Sequence, residues 1–208
     1  MRLFKQSSFL LSLLLGGSMV WGSLLINGYA VNYANQNISN PVTDIVLSNT
    51  RVYTVDWVFV YGAVLLVACI ALALSIQVHR APFALKAIGL FTLIRSFFIS
   101  LTHISPYPTH VIIGSNIFTS AFPNIFTGSD LFFSGHTGLP FLLALILWEY
   151  PLWRYLFLAF SLLFGVVVLL GHLHYSIDVA SAFFITYSIF CIAKVFFKHD
   201  WVRASVQN

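Results

Sequence analysis

Residues 130–178 read DLFFSGHTGLPFLLALILWEYPLWRYLFLAFSLLFGVVVLLGHLHYSID. Two apolar runs, broken by a short polar turn at 150–154, separate two polar islands, 130–137 and 172–178. A helix of about eighteen residues is ~27 Å long, so a chain that enters a bilayer after Ser134 and turns at 150–154 returns to the same face near Gly171. The hairpin therefore brings His136 back toward His174 and Asp178. Ionisable groups at membrane depth are costly and point to function.

Composition extends this hairpin to the whole chain. Of 208 residues, 59% are hydrophobic and only 8% charged, with mean hydropathy +0.91. Soluble domains carry about 25% charged residues, which excludes that class. The net charge of +4 is not read as a nucleic-acid signal, because Lys and Arg sit at the ends of apolar runs. A span takes about 20 apolar residues. Six runs qualify or nearly do: 9–29, 55–78, 83–104, 134–148, 152–170 and 177–197. The fourth is short, and it enters obliquely or keeps its first turn inside the protein. The expected fold is all-α: a polytopic membrane protein with a six-transmembrane-helix bundle. Residues 1–208 are read as a single membrane domain. The first run also fits a signal peptide, with Arg2 and Lys5 at its start and a small-residue site near Ala30, but its length favours a retained helix.

With the N-terminus inside, Arg2, Lys5, Arg80, Lys86, Arg154, Lys194, Lys198 and Arg203 fall on or near the inner side, Arg51 outside, and Arg95 within a span. The positive-inside rule then places both termini in the cytoplasm and both polar islands on the outer face. Two loops, 32–54 and 105–133, would also lie outside. The second has no Lys or Arg and ends at the first island, as a lid, a headgroup cradle or a plain connector would. Asn37-Ile-Ser39 is a sequon, common by chance. Cys69 and Cys191 read as small core residues, not a disulfide framework.

His174 and Asp178 are four apart, which on a helix places both on one face. An aspartate there holds the imidazole tautomer and raises its basicity. With His136 on the same face, two histidines give a complete phosphoryl-transfer pair: one attacks phosphorus, the other protonates the departing oxygen. Ser134 suits an N-cap and Gly135 a close backbone approach, so free N–H groups at that helix start suit a phosphate. Arg95, inside the third span and about 13 Å below its outer end, either clamps that phosphate or pairs with Asp130 or Asp178; the guanidinium fork favours the clamp. A structural role for His174 and Asp178 at a helix end is the plainer alternative. A metal held by His172, His174 and Asp178 is disfavoured, because His-x-His spacing does not put both rings on one helix face. A serine nucleophile lacks its Gly-x-Ser-x-Gly elbow. His103 and His110 read as loop bystanders.

Asp130-Leu-Phe-Phe-Ser134-Gly135-His136-Thr137 and His174-Tyr-Ser-Ile-Asp178-Val resemble the two C-terminal motifs of sphingomyelin synthases, within the type 2 phosphatidic acid phosphatase (PAP2, lipid phosphate phosphatase) superfamily. Residues 179–190 also resemble that family's last span. The likeness is strong over 128–190, loose over 95–108 and absent before about Phe83. It implies a six-helix bundle with a metal-independent site on the exoplasmic side, carried here by 83–198. His174 would be the nucleophile, Asp178 its orienting partner and His136 the second catalytic histidine. The sequence departs from the classical phosphatase pattern: no Lys and Arg-Pro motif precedes Ser134, and Val168 stands where an Arg is expected. His172 occupies the place of the synthases' Arg. Phosphate charge would then fall to Arg95, His172 and helix N-termini, with Ser134, Gly135 and Asp130 completing the cradle.

The implied activity is transfer of a phospho-headgroup from a glycerophospholipid to a lipid alcohol such as ceramide, through a phosphohistidine-type intermediate. Hydrolysis of a lipid phosphate to water is the alternative within the class. A transporter or silent scaffold is the alternative outside it, and it would need a midplane route or an internal repeat, neither of which is visible. Phospholipid and lipid-alcohol substrates and the surrounding membrane lipids are the expected partners. No cofactor, metal or nucleic acid is expected, and a homo-oligomer is compatible with this reading.

Overall fold

The computed structural model describes residues 7–113 and 131–206. Among them the regular structure is all helical. The helices are α1 (Ser7–Gln36), α2 (Asp56–Ile76), α3 (Ala81–Leu101), α4 (Gly135–Ile146), α5 (Pro151–Leu170), α6 (Ser176–Phe196) and α7 (Lys198–Val206), with single 3-10 turns at Leu47–Asn49 and Val78–Arg80. Proline fixes two of the starts: Pro82 lies in the first turn of α3 and Pro151 begins α5. At those positions the missing N–H costs nothing.

Five helices are long and apolar enough to cross a membrane, and α4 is a shorter apolar one. The chain is an integral multi-pass membrane protein built as a helical bundle. The six-span expectation holds with one correction. The fourth helix has only 12 residues, which makes it ~18 Å long, short of a hydrocarbon core of ~30 Å. It can be short because it is enclosed: Leu142, Leu143, Ala144 and Ile146 are buried against the rest of the bundle, so its ends meet protein rather than lipid. Elsewhere large apolar side chains point outward, with Leu14 70%, Trp21 68% and Phe184 76% exposed. In water such a surface would be a liability; facing acyl chains it is the expected exterior.

α1 turns Phe9, Ser12, Gly16, Ser23, Ala30 and Ala34, one helical stripe, toward α3. The backbones come close: a Cβ on Gly89 would stand 3.1 Å from the Met19 carbonyl carbon. α1 runs past the apolar stretch to Gln36, further than residue 29, because Ala30, Val31 and Ala34 go on burying surface against Ile99. Helices α2 to α6 share one core, in which Phe59, Phe83, Phe91, Phe157 and Phe164 interleave.

The bundle end away from the polar islands is held by ions. Lys86 Nζ donates to Asp200 Oδ2 at 2.6 Å and to Ser12 Oγ at 2.7 Å, and Ser12 Oγ donates to Asp200 Oδ1 at 2.6 Å. This buried pair is completed by a third group, as desolvated charges require, and it joins α1, α3 and α7. Arg80 pairs with Glu149, beside the α4–α5 turn, and lies 5.2 Å from the Trp201 ring centroid.

Candidate active site

Both islands lie at the other end, where α4 and α6 begin. Ser134 is the N-cap of α4: its hydroxyl accepts from the Thr137 N–H at 3.4 Å. Its own N–H donates to the Asp178 carbonyl at 3.1 Å, which ties the start of α4 to the first turn of α6. Pro140 removes the helical donor that the His136 carbonyl would otherwise meet. One residue on, Ser161 of α5 donates to the Thr137 carbonyl at 2.7 Å.

Arg95 reaches this helix start from α3. Its side chain is buried and Nε donates to the Phe133 carbonyl at 2.9 Å. A Cβ on Gly135 would stand 3.0 Å from Nε and 3.3 Å from Cζ. Glycine therefore lets the guanidinium rest against the α4 N-terminus, whose first N–H groups carry the positive end of the helix dipole. α3 stops at Leu101, where Thr102 turns extended. Arg95 is then six residues from the end of its helix, ~9 Å, shallower than its sequence position predicted.

His174 and Asp178 meet, but not as two residues of one helix. α6 begins at Ser176 with Tyr175 as its N-cap, so His174 stands just outside. The contact is a capping contact. The Asp178 carboxylate accepts from the Tyr175 N–H at 2.9 Å and approaches His174 Nδ1 at 3.4 Å. A shorter bond fixes the ring: Nδ1 lies 2.9 Å from the Leu131 carbonyl oxygen. A carbonyl only accepts, so Nδ1 carries the proton and Nε2 keeps its lone pair. That is the tautomer a nucleophilic histidine needs.

His136, the second residue of α4, is partly buried between the Phe59 and Phe164 rings, with centroids 4.4 and 5.7 Å away. His174 and Arg95 each lie within electrostatic reach of His136. His136, Gly135 and Arg95 also line a pocket of about 180 Å³ whose other walls are mainly apolar, among them Leu24, Leu66, Phe91 and Leu139. Polar chemistry thus stands at the head of a hydrocarbon-lined slot between α1, α2, α3 and α4.

The remaining expected residues are placed differently. His172 turns away to the 105–113 segment. Its Nδ1 is 2.7 Å from Thr109 Oγ1, the Tyr107 ring meets it edge-on, and Nε2 is buried with no hydrogen-bond partner among the described residues. Its φ of 53° is left-handed, a strained conformation for a histidine. His103 and His110 bond to the nearby Ser100 and Tyr107 carbonyls. Asp130 and most of the expected lid or cradle, residues 114–130, lie outside the described residues. No group of three His, Cys, Asp or Glu able to hold a metal gathers among the described residues.

Three features were not visible in the sequence. The Leu131 and Phe133 carbonyls orient His174 and Arg95, and backbone groups leave no residue-type signal. The third is Asp44, in the loop between α1 and α2. Its Oδ1 accepts from the Val46 and Leu47 N–H groups at 2.8 and 3.0 Å, and its Oδ2 from the Ser176 N–H at 2.7 Å. Burial pushes its carboxyl up, but the bonds from Leu47, Ser176 and Val46 outweigh that and hold it below the usual aspartate value. It is the one acidic residue between 37 and 54, and that isolation was the available clue.

Residues 127–195 match the family model described as PAP2 superfamily C-terminal. The match supports the PAP2 superfamily. It covers a third of the chain, and that third holds both islands, the whole of α4 and α5, and nearly all of α6. No curated protein and no solved structure matches the chain. At the level of the superfamily, the PAP2 segment is consistent with phosphatase or phosphotransferase chemistry on lipid phosphates.

Proposed function

We propose that the protein transfers a phospho-headgroup between lipids, in the manner of a sphingomyelin synthase. The carrying observation is the Arg95 guanidinium resting on the Gly135 backbone at the head of an apolar slot that His136 also lines. This is a place for an anionic group joined to hydrocarbon. Substrates would be a glycerophospholipid donor and a lipid alcohol such as ceramide, drawn from the bilayer. The site would face outward, with both termini cytoplasmic, as the charge distribution favours.

In the first step His174 Nε2 attacks phosphorus. A P–N bond forms and the P–O bond to diacylglycerol breaks. The departing oxygen takes a proton from His136, while Asp178 and the Leu131 carbonyl hold the imidazolium through Nδ1–H. In the second step the acceptor hydroxyl attacks the phosphorus and gives its proton to His136. The P–N bond breaks and His174 is restored. Arg95 and the first N–H groups of α4 meet the charge on the non-bridging oxygens. Ser134 holds that helix start.

The test is a product assay on purified protein in mixed micelles of phosphatidylcholine, phosphatidylethanolamine, phosphatidic acid and a fluorescent ceramide. A new fluorescent phospholipid, absent with His174→Ala, is expected and names the headgroup donor. Diacylglycerol with free phosphate or phospho-headgroup, and no ceramide product, would replace transfer by hydrolysis.

Two smaller effects follow from the geometry. Arg95→Lys removes the fork and the Nε bond to Phe133, so kcat/KM should fall roughly 10²- to 10³-fold, read from initial rates; a loss under fivefold would take Arg95 out of the phosphate site. Asp178→Asn should cost less than in a triad whose carboxylate alone sets the tautomer, where the loss is about 10⁴-fold. Here the Leu131 carbonyl still holds Nδ1–H, so kcat should fall about 10- to 100-fold. A loss as large as that of His174→Ala would show that the carbonyl does not hold the ring.

A further inference from the structure

We infer that Asp44 is a positioning residue for the His174–Asp178 pair, acting from a loop that lies outside the matched segment. The inference rests on the reading of His174 as nucleophile. His174 sits in a turn, not in a helix, so its position depends on how α6 is started. Two of the residues at that start are held from the α1–α2 loop. Asp44 Oδ2 accepts from the Ser176 N–H at 2.7 Å, the first N–H of α6. The Tyr175 hydroxyl accepts from the Val42 N–H at 3.3 Å and donates to the Ser105 carbonyl at 2.8 Å. The loop can bear this load because Asp44 folds it first: Oδ1 draws in the Val46 and Leu47 N–H groups, and Leu47 is buried beside Leu131 and Tyr175. Leu131 is the residue whose carbonyl accepts the hydrogen bond from His174 Nδ1–H. One carboxylate thus joins the loop to the first turn of α6 and, through Leu47, to Leu131 and Tyr175.

Two substitutions cut the same bond from opposite sides. Asp44→Asn keeps one acceptor oxygen but can no longer accept on both sides. Ser176→Pro removes the N–H at the first position of α6, where proline is well tolerated, and Tyr175 before it is already extended at ψ 156°, as a residue preceding proline must be. The purified variants and their double mutant would be compared by steady-state kinetics and by hydrogen exchange at the amides of Tyr175, Ile177 and Asp178. All three proteins should lose kcat about 10- to 100-fold, the scale of a displaced catalytic group, with KM within about twofold. The double mutant should be no worse than the worse single, since one interaction is removed twice. Exchange at the three amides should rise about tenfold or more, with α3 and α5 unchanged.

Wild-type kcat in Ser176→Pro, additive losses in the double mutant, or a fallen kcat with unchanged exchange would each overturn the inference. So would faster exchange with no loss of turnover. If the unmodified protein shows no His174-dependent turnover, the functional reading fails first. Exchange then decides alone: unchanged amides would show that Asp44 does not hold the turn at all.

Discussion

His174→Ala is expected to lower turnover by about 10⁴-fold or more, with no product above background in the micelle assay, because loss of a nucleophile removes the covalent route and leaves only binding and charge stabilisation. The structure makes this loss hard to evade. Nδ1 is committed to the Leu131 carbonyl and to Asp178, so Nε2 is the one nitrogen with a lone pair. His172, two residues away, points into the 105–113 segment and is not arranged to substitute. Folding should survive, since the N-cap bond from the Tyr175 N–H to Asp178 does not involve the ring. The informative comparison is therefore a variant with unchanged thermal unfolding and no turnover. Turnover within tenfold of the unmodified protein would remove His174 as nucleophile and with it the proposed mechanism.

His136→Ala carries the second large effect, and its size should depend on the leaving group. A general acid contributes typically 10²- to 10⁴-fold, and most where the departing oxygen is a poor leaving group, as in diacylglycerol. An aryl phosphate ester departs as a phenolate, whose conjugate acid has a pKa of about 10 or below, and needs little protonation. The variant should lose about 10²- to 10⁴-fold on a phospholipid donor and less than about tenfold on an aryl ester of the same headgroup. His136 is placed for contact with the leaving group: it lies between two phenylalanine rings and faces the slot where the chain of a departing lipid would lie. Equal losses on both esters would assign the proton to another group.

The bundle was legible because bilayer thickness imposes a length on every apolar run, and the starts at Pro82 and Pro151 carry their own signals. The pairing of the two islands followed from hairpin arithmetic, and Ser134 was readable as a cap from its residue type. What stayed hidden was set by backbone groups and by contacts distant in sequence. The spacing of His174 and Asp178 suggested two residues stacked on one helix, yet the turn at Gly171 ends α5, and the chain re-enters a helix only at Ser176. The two side chains meet through N-cap geometry instead, and no periodicity reports that. Asp44 lies 132 residues from the N–H it holds, beyond the reach of any local pattern. His172 was read as a stand-in for a phosphate-binding arginine; its left-handed backbone, invisible in composition, aims it elsewhere.

The brevity of α4 has a consequence for how strongly the site can hold an anion. α5, the partner that α4 pairs with in the hairpin, has 20 residues against 12, so the start of α4 falls ~12 Å short of where a full span would end. A helix terminus at a water boundary is screened by solvent and by salt within about 10 Å. The same half-charge set back within the bundle acts through a medium of lower permittivity, where each electrostatic contact counts for several times more. Truncating one helix by two turns therefore does what an additional basic residue would do at the surface. It gives the proposed site, which has no Lys and Arg-Pro motif before Ser134, another source of positive potential.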